Sequence, residues 1–249
     1  MITDQYLREI KLKREMIDTF DEYPFCLNAV KKLDSLSLHP SVTFFIGENG
    51  SGKSTLLEAI AVAWGFNPEG GTKSFGFSTR DSHSDLHEYI QLSRGIKSPK
   101  DGFFLRAESF YNVATEIENL DKLPSFAPPV RNSYGGKSLH EQSHGESFLS
   151  LIMERFGGNG LYILDEPEAA LSPSRQMSML ARMHKLVRDG SQFIVATHSP
   201  IIMAYPDAII YLLDDNDIRK VEYTETEHYF VMKSFVNNHE KMLKILMSD

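Results

Sequence analysis

The run Gly47-Glu48-Asn49-Gly50-Ser51-Gly52-Lys53-Ser54 constrains this chain more than any other stretch. It fits the pattern G-x-x-x-x-G-K-[ST] at every fixed position, and that pattern requires a strand before it and a helix after it. Val42-Thr43-Phe44-Phe45-Ile46 is a short apolar run rich in β-branched and aromatic residues, which reads as a buried strand. Leu56 to Ala63 combines strong helix formers with an apolar stripe. Such a junction predicts an α/β fold of the P-loop NTPase kind, with a mostly parallel sheet.

The chemistry expected at the junction follows from its residue types. Glycines let the backbone turn tightly enough to aim N–H groups at phosphate oxygens, and a helix N-terminus adds partial positive charge. Lys53 is placed to reach the β- and γ-phosphates, and the Ser54 hydroxyl to ligate Mg²⁺. A glycine turn that merely precedes a lysine-bearing helix is the plainer alternative, and the strand-helix frame argues against it.

Three further stretches extend the pattern. Leu161-Tyr162-Ile163-Leu164-Asp165-Glu166 is an apolar strand ending in two acids. Alone it would read as a capped turn. Beside a P-loop, Asp165 is the Mg²⁺ carboxylate (Walker B) and Glu166 the residue that polarises the attacking water. Ser143-x-x-Glu146 is a capping box at a helix start, compatible with anion binding by the hydroxyl and the following glycine. Gln192 to Ala196 reads as a strand delivering Thr197-His198-Ser199-Pro200. A strand-end histidine is usually structural, but one at the carboxyl edge of the P-loop sheet can face the γ-phosphate.

Order and spacing unite these pieces. Lys53 and Ser143 are separated by 90 positions, Ser143 and Asp165 by 22, Asp165 and His198 by 33. This succession resembles the ABC-type P-loop ATPases over about residues 36–215, and the wording is most similar to the soluble, stand-alone "AAA family" branch related to recombination, repair and phage-defence ATPase heads. The resemblance implies Gly47, Asn49, Gly50, Ser51, Gly52, Lys53, Ser54 and Thr55 around the phosphates, and Ser54 and Asp165 on Mg²⁺. It implies Glu166 as catalytic base with His198 and Lys53 beside it, Ser143, Gly145 and Glu146 as the signature, and Ala169 to Leu171 in the D-loop. ATP and Mg²⁺ are the implied cofactors, and a homodimer closing on ATP the implied assembly. Two departures stand out: Gln142 and His144 occupy signature positions usually filled otherwise, and the Q-loop glutamine has no match, Glu108 being the candidate for its place.

Around these motifs the chain reads as a single domain over 1–249, with a helical insertion at about 109–158 and a helical tail at about 227–249. Tyr6 to Leu12 and Ser35 to Leu38 alternate as half-buried strands do, and the second is placed to pair with the P-loop strand. Tyr23 or Phe25 could stack on a purine, though a core aromatic is the commoner role. Residues 66–101, rich in Gly, Ser, Asp and Pro, read as loops around short elements rather than a separate domain, with Arg80, His83 and Arg94 as solvated polar residues. Pro124 to Pro129 breaks the chain, and Asp214 to Asp217 reads as a turn between the last two strands.

Composition limits the partners. A net charge of −8 disfavours nonspecific coating of nucleic acid. One cysteine, no signal-like N-terminus and no apolar run of membrane-spanning length point to the cytoplasm. A DNA or effector-protein partner is expected for the switch this resemblance implies. The alternatives are a transporter's nucleotide-binding subunit, disfavoured by the Glu-Ala-Ala-Leu-Ser-Pro wording and the missing Q-loop glutamine, and a non-hydrolysing sensor, disfavoured by an intact Glu166 and His198. The absence of heptads excludes a long coiled coil between P-loop and signature.

Overall fold

The computed structural model describes residues 5–73, 84–122 and 128–248, the His144 side chain excepted. Arg80, His83 and the segment Pro124 to Ala127 lie outside the described residues. The central sheet has six strands in the order β5 (Asp101–Arg106), β6 (Gly160–Asp165), β7 (Gln192–Ala196), β3 (Val42–Ile46), β8 (Ile209–Leu213) and β9 (Ile218–Lys220). All neighbours are parallel except the β8–β9 hairpin, whose turn is Asp214 to Asp217 as the sequence predicts.

Alternation explains how this sheet holds two cores. Val42, Phe44 and Ile46 of β3 join one buried cluster, while Phe45 between them joins the other. Phe103 and Leu105 face the first cluster and Phe104 the second; Tyr162 and Leu164 face the first and Leu161 and Ile163 the second. Side chains of a strand point to opposite faces with period two, so strands covered on both sides become continuous apolar runs. Each fully buried Phe stabilises the fold by about 1.5–3 kcal/mol relative to an exposed one.

A second, antiparallel sheet has the order β2 (Ser35–Ser37), β1 (Leu7–Leu12), β4 (Ile90–Arg94). The expectation that the Leu36 segment pairs with the P-loop strand is therefore wrong: Leu36 lies opposite Ile10 of β1. Within 66–101, read as loops around short elements, one such element is β4. Buried Gln192 fastens the two sheets: its Oε1 accepts from Tyr6 N at 3.1 Å and Leu7 N at 2.9 Å, and its Nε2 donates to Leu7 O at 2.8 Å and His39 O at 3.0 Å.

The helices are α1 (Asn28–Lys31), α2 (Lys53–Trp64), α3 (Phe110–Lys122), α4 (His144–Ser150), α5 (Pro173–Arg188) and α6 (Glu227–Leu246). α4 continues as a π-helix over Leu151–Arg155. α6 has no buried residue and exposes Phe230, Val231, Val236 and Leu246. Tyr23 is exposed, Phe25 packs edge-on to Tyr89 at 4.8 Å, and the Arg94 guanidinium lies 4.3 Å from the Trp64 ring. No described helix is long and apolar enough to cross a membrane.

Candidate functional site

Strand register assembles the site. Arg106 lies opposite Asp165, Asp165 opposite Ala196, and Ala196 opposite Phe45. All four strands run the same way, so the P-loop after β3, the two acids after β6 and the histidine turn after β7 leave one carboxyl edge, where open α/β sheets bind ligands.

The P-loop is shaped by its close neighbours. Gly52 caps α2 with φ 96°, and a Cβ there would stand 2.9 Å from Ala29 Cβ, so only glycine serves at this position. Gly47 is buried, Ser51 and Thr55 half-buried, and Asn49 and Gly50 exposed. Lys53 is buried, its Nζ donating to Gly47 O at 2.9 Å and Glu48 O at 2.8 Å. Desolvation lowers its pKa, against the pull of Glu166, Asp165 and Glu168.

Ser54 Oγ donates to Asp165 Oδ1 at 3.0 Å. On the other carboxylate oxygen, Arg106 Nε stands 3.6 Å from Asp165 Oδ2, and Arg106 Nη1 contacts Glu58 Oε2 at 2.5 Å. Burial pushes Asp165 up to about 6, and Arg106 and Ser54 hold it down against that, so it is mostly ionised at neutral pH. One hydroxyl and one carboxylate oxygen, both hard donors, suit Mg²⁺, which takes few protein ligands and completes its shell with phosphate and water.

Glu166 adopts φ 50° and ψ 53°, the left-handed region, fixed by its N–H donating to Ala196 O at 3.0 Å. This turn sets Glu166 Oε1 3.5 Å from His198 Nε2. Glu168 holds the turn from the other side, accepting from His198 N at 2.5 Å. Ser51 Oγ, Arg106 Nε, Glu168 Oε2 and His198 Nε2 are buried without a hydrogen-bond partner among the described residues. Such unspent polar atoms are unusual in a folded core; these four lie at the site, while Trp64 Nε1, Ser84 Oγ and Arg182 Nε are others elsewhere.

The structure thus brings Lys53, Ser54, Asp165, Glu166 and His198 together. Ser143, Gly145 and Glu146 are tied elsewhere. Glu146 Oε2 accepts from Ser143 Oγ at 2.6 Å and Ser143 N at 3.1 Å, and Glu146 Oε1 lies 3.6 Å from Arg175. A Cβ on Gly145 would meet Ala170 O and an Arg175 nitrogen at 2.6 Å, so the glycine lets α4 press on the turn Pro167–Ala170. Glu108, the candidate for the Q-loop place, has an exposed side chain 3.9 Å from Arg106. Arg106, Glu168 and His228, whose Nε2 is 3.3 Å from His198 Nδ1, are additions that no sequence pattern marks.

Comparison with known proteins agrees with this architecture. Residues 145–203 match the AAA ATPase domain family and residues 25–122 the AAA domain family. The macrolide export ATP-binding/permease protein MacB of Campylobacter jejuni is 24% identical over 249 aligned residues, covering 88% of this chain, and the chain spans only 36% of that protein's length. The chromosome partition protein Smc of Methanocaldococcus jannaschii is 26% identical over 164 residues, covering 57% of this chain and 14% of that protein. A solved ATP-binding cassette of an ABC transporter, in its ADP conformation, superposes with TM-score 0.50 at 19% identity, over 98% of this chain and 99% of that one. The fold is that of the ABC-type P-loop ATPases. The P-loop and the acid-terminated strand lie at the carboxyl edge of that fold.

Proposed function

We propose that the chain binds Mg-ATP, hydrolyses it, and closes as an ATP-sandwich dimer that switches a protein or nucleic-acid partner. The convergence of Lys53, Ser54, Asp165, Glu166 and His198 on one sheet edge carries this reading. Lys53 exchanges the Gly47 and Glu48 carbonyls for β- and γ-phosphate oxygens, and backbone N–H groups from Gly50 to Thr55 cradle the phosphates. Ser54 and Asp165 would hold Mg²⁺, which when bound neutralises phosphate charge. Glu166 takes the proton of the attacking water, held in place by its left-handed turn, while His198 Nε2 faces the γ-phosphate.

Isothermal titration and phosphate release test this. Lys53→Ala loses ATP binding. Glu166→Gln keeps binding, and its turnover falls by about 10²-fold or more, since an amide cannot accept the proton. Wild-type turnover in Glu166→Gln would remove the base assignment, and no phosphate release from the wild type would remove the reading as a whole. The alignment with MacB favours a second reading, a transporter's nucleotide-binding subunit. Glu166→Gln protein recovered from cells with ATP separates the two, by whether a membrane subunit or a soluble partner accompanies it.

A further inference from the structure

His228 opens α6, more than two dozen residues after the loop that carries His198, yet the two imidazoles meet. His228 Nε2 lies 3.3 Å from His198 Nδ1, with ring centroids 5.5 Å apart. The root of α6 is fastened to the same loop. Tyr223 Oη donates to Pro200 O at 2.9 Å, and Thr226, which is 1% exposed and caps α6, places its Oγ1 3.7 Å from Met203 Sδ. The far side of the His198 turn is fixed as well, by Ser199 Oγ donating to Gln176 Oε1 at 2.6 Å.

A neutral imidazole carries its proton on one nitrogen only, and the bond made by the other nitrogen decides which. Desolvation lowers the pKa of both rings, with Lys53 adding to it, so both are neutral at neutral pH. His198 Nε2 faces a carboxylate oxygen at 3.5 Å, and a bare lone pair there would be repelled. The arrangement that satisfies both contacts has His228 Nε2–H donating to His198 Nδ1 and the His198 proton on Nε2. We propose that His228 is a positioning residue, which selects the Nε2–H tautomer of His198 and so presents a hydrogen-bond donor to the triphosphate site. The role deepens the proposed ATP hydrolysis and rests on it, whereas the tautomer itself does not.

The test uses the full chain and two readouts. Long-range proton–nitrogen correlation spectra, recorded above the histidine titration range, show His198 of the wild type as the Nε2–H tautomer. His228→Ala redistributes that proton toward Nδ1, lowers kcat by about ten-fold or more and leaves the ATP KM and dissociation constant within about two-fold, the loss expected when an outer hydrogen-bond partner is removed. His228→Gln keeps an N–H donor at a similar reach and restores most of the rate. Wild-type His198 protonated on Nδ1, or His228→Ala with unchanged kcat, overturns the proposal. If the wild type releases no phosphate, the hydrolysis reading fails while the tautomer spectrum still decides the contact. If His228→Ala does not fold, the wild-type spectrum and the His228→Gln rate decide.

Discussion

Glu166 occupies a backbone conformation that costs a residue with a Cβ about 1–2 kcal/mol. Burial is the main cause that raises the pKa of Asp165 and Glu168, and the Glu166 carboxylate adds a smaller repulsion to each. Both penalties fall on the residue proposed to act as base, and strain is commonly retained at such positions. Glu166→Gly should relieve both. Allowing about 0.5–1 kcal/mol for the greater freedom of glycine in the unfolded chain, the variant gains about 1 kcal/mol and melts about 2–4 °C higher, with turnover abolished. Calorimetry beside phosphate release checks it, and a lower Tm would show that the turn is not strained. At this scale the P-loop, Asp165, Glu166 and His198 are readable from sequence because each sits in a local pattern: glycines before a helix, or polar residues ending an apolar run. Arg106 and His228 are not. Arg106 reaches Asp165 only through the β5–β6 register, and His228 reaches His198 only through the docking of α6. Periodicity carries neither register nor docking.

Among the elements, the helical stretch between β5 and β6 is anchored to the sheet by Asp101 at the start of β5. Arg155 Nη1 donates to its two oxygens at 2.8 and 3.0 Å, Gly157 N donates at 3.0 Å, and Tyr162 Oη lies at 2.7 Å. Burial raises the Asp101 pKa, but these donors outweigh it and hold the carboxyl below its usual range. A depressed folded pKa contributes stability that is complete above the unfolded value of about 3.9 and is lost as pH falls through the folded value. Asp101→Asn should therefore cost about 1–3 kcal/mol at neutral pH. It should also flatten the fall of Tm below about pH 4. An acid-limb slope identical to the wild type would refute the linkage. The helix α6 and the parallel strands are legible because long apolar runs and helix formers announce themselves. The partner of β2, itself read as a strand, and the position of β4 are not: β2 is only three residues long, β4 follows a Gly- and Ser-rich stretch, and their common partner β1 is distant in sequence. A short alternating segment looks the same whichever strand it pairs with.

For the whole molecule, the arrangement divides the predicted nucleotide contacts into two groups. Lys53, Ser54, Asp165, Glu166 and His198 form one cluster, while Ser143 is exposed at the start of α4 and the hydrogen bonds of Ser143 and Glu146 run along α4. The capping box explains the local geometry of Ser143 without any ligand. Its place in the order of motifs, in a chain with the ABC-type fold, argues for an added role across a two-fold dimer, where the Ser143 surface of one protomer meets the ATP of the other. In the proposed dimer ATP would join two identical faces, and loss of the γ-phosphate would loosen them. Glu166→Gln with Mg-ATP should sediment as a dimer, and the protein without nucleotide as a monomer or a weaker assembly. Ser143→Arg should bind ATP normally, yet neither dimerise nor hydrolyse, because bulk and charge enter the junction. Losing the cap costs about 1 kcal/mol, too little to unfold a domain of this size. Ser143→Asn keeps a good cap and so isolates that loss. Sedimentation velocity with phosphate release decides the matter: wild-type hydrolysis by Ser143→Arg would leave the serine as a helix cap alone and remove the sandwich.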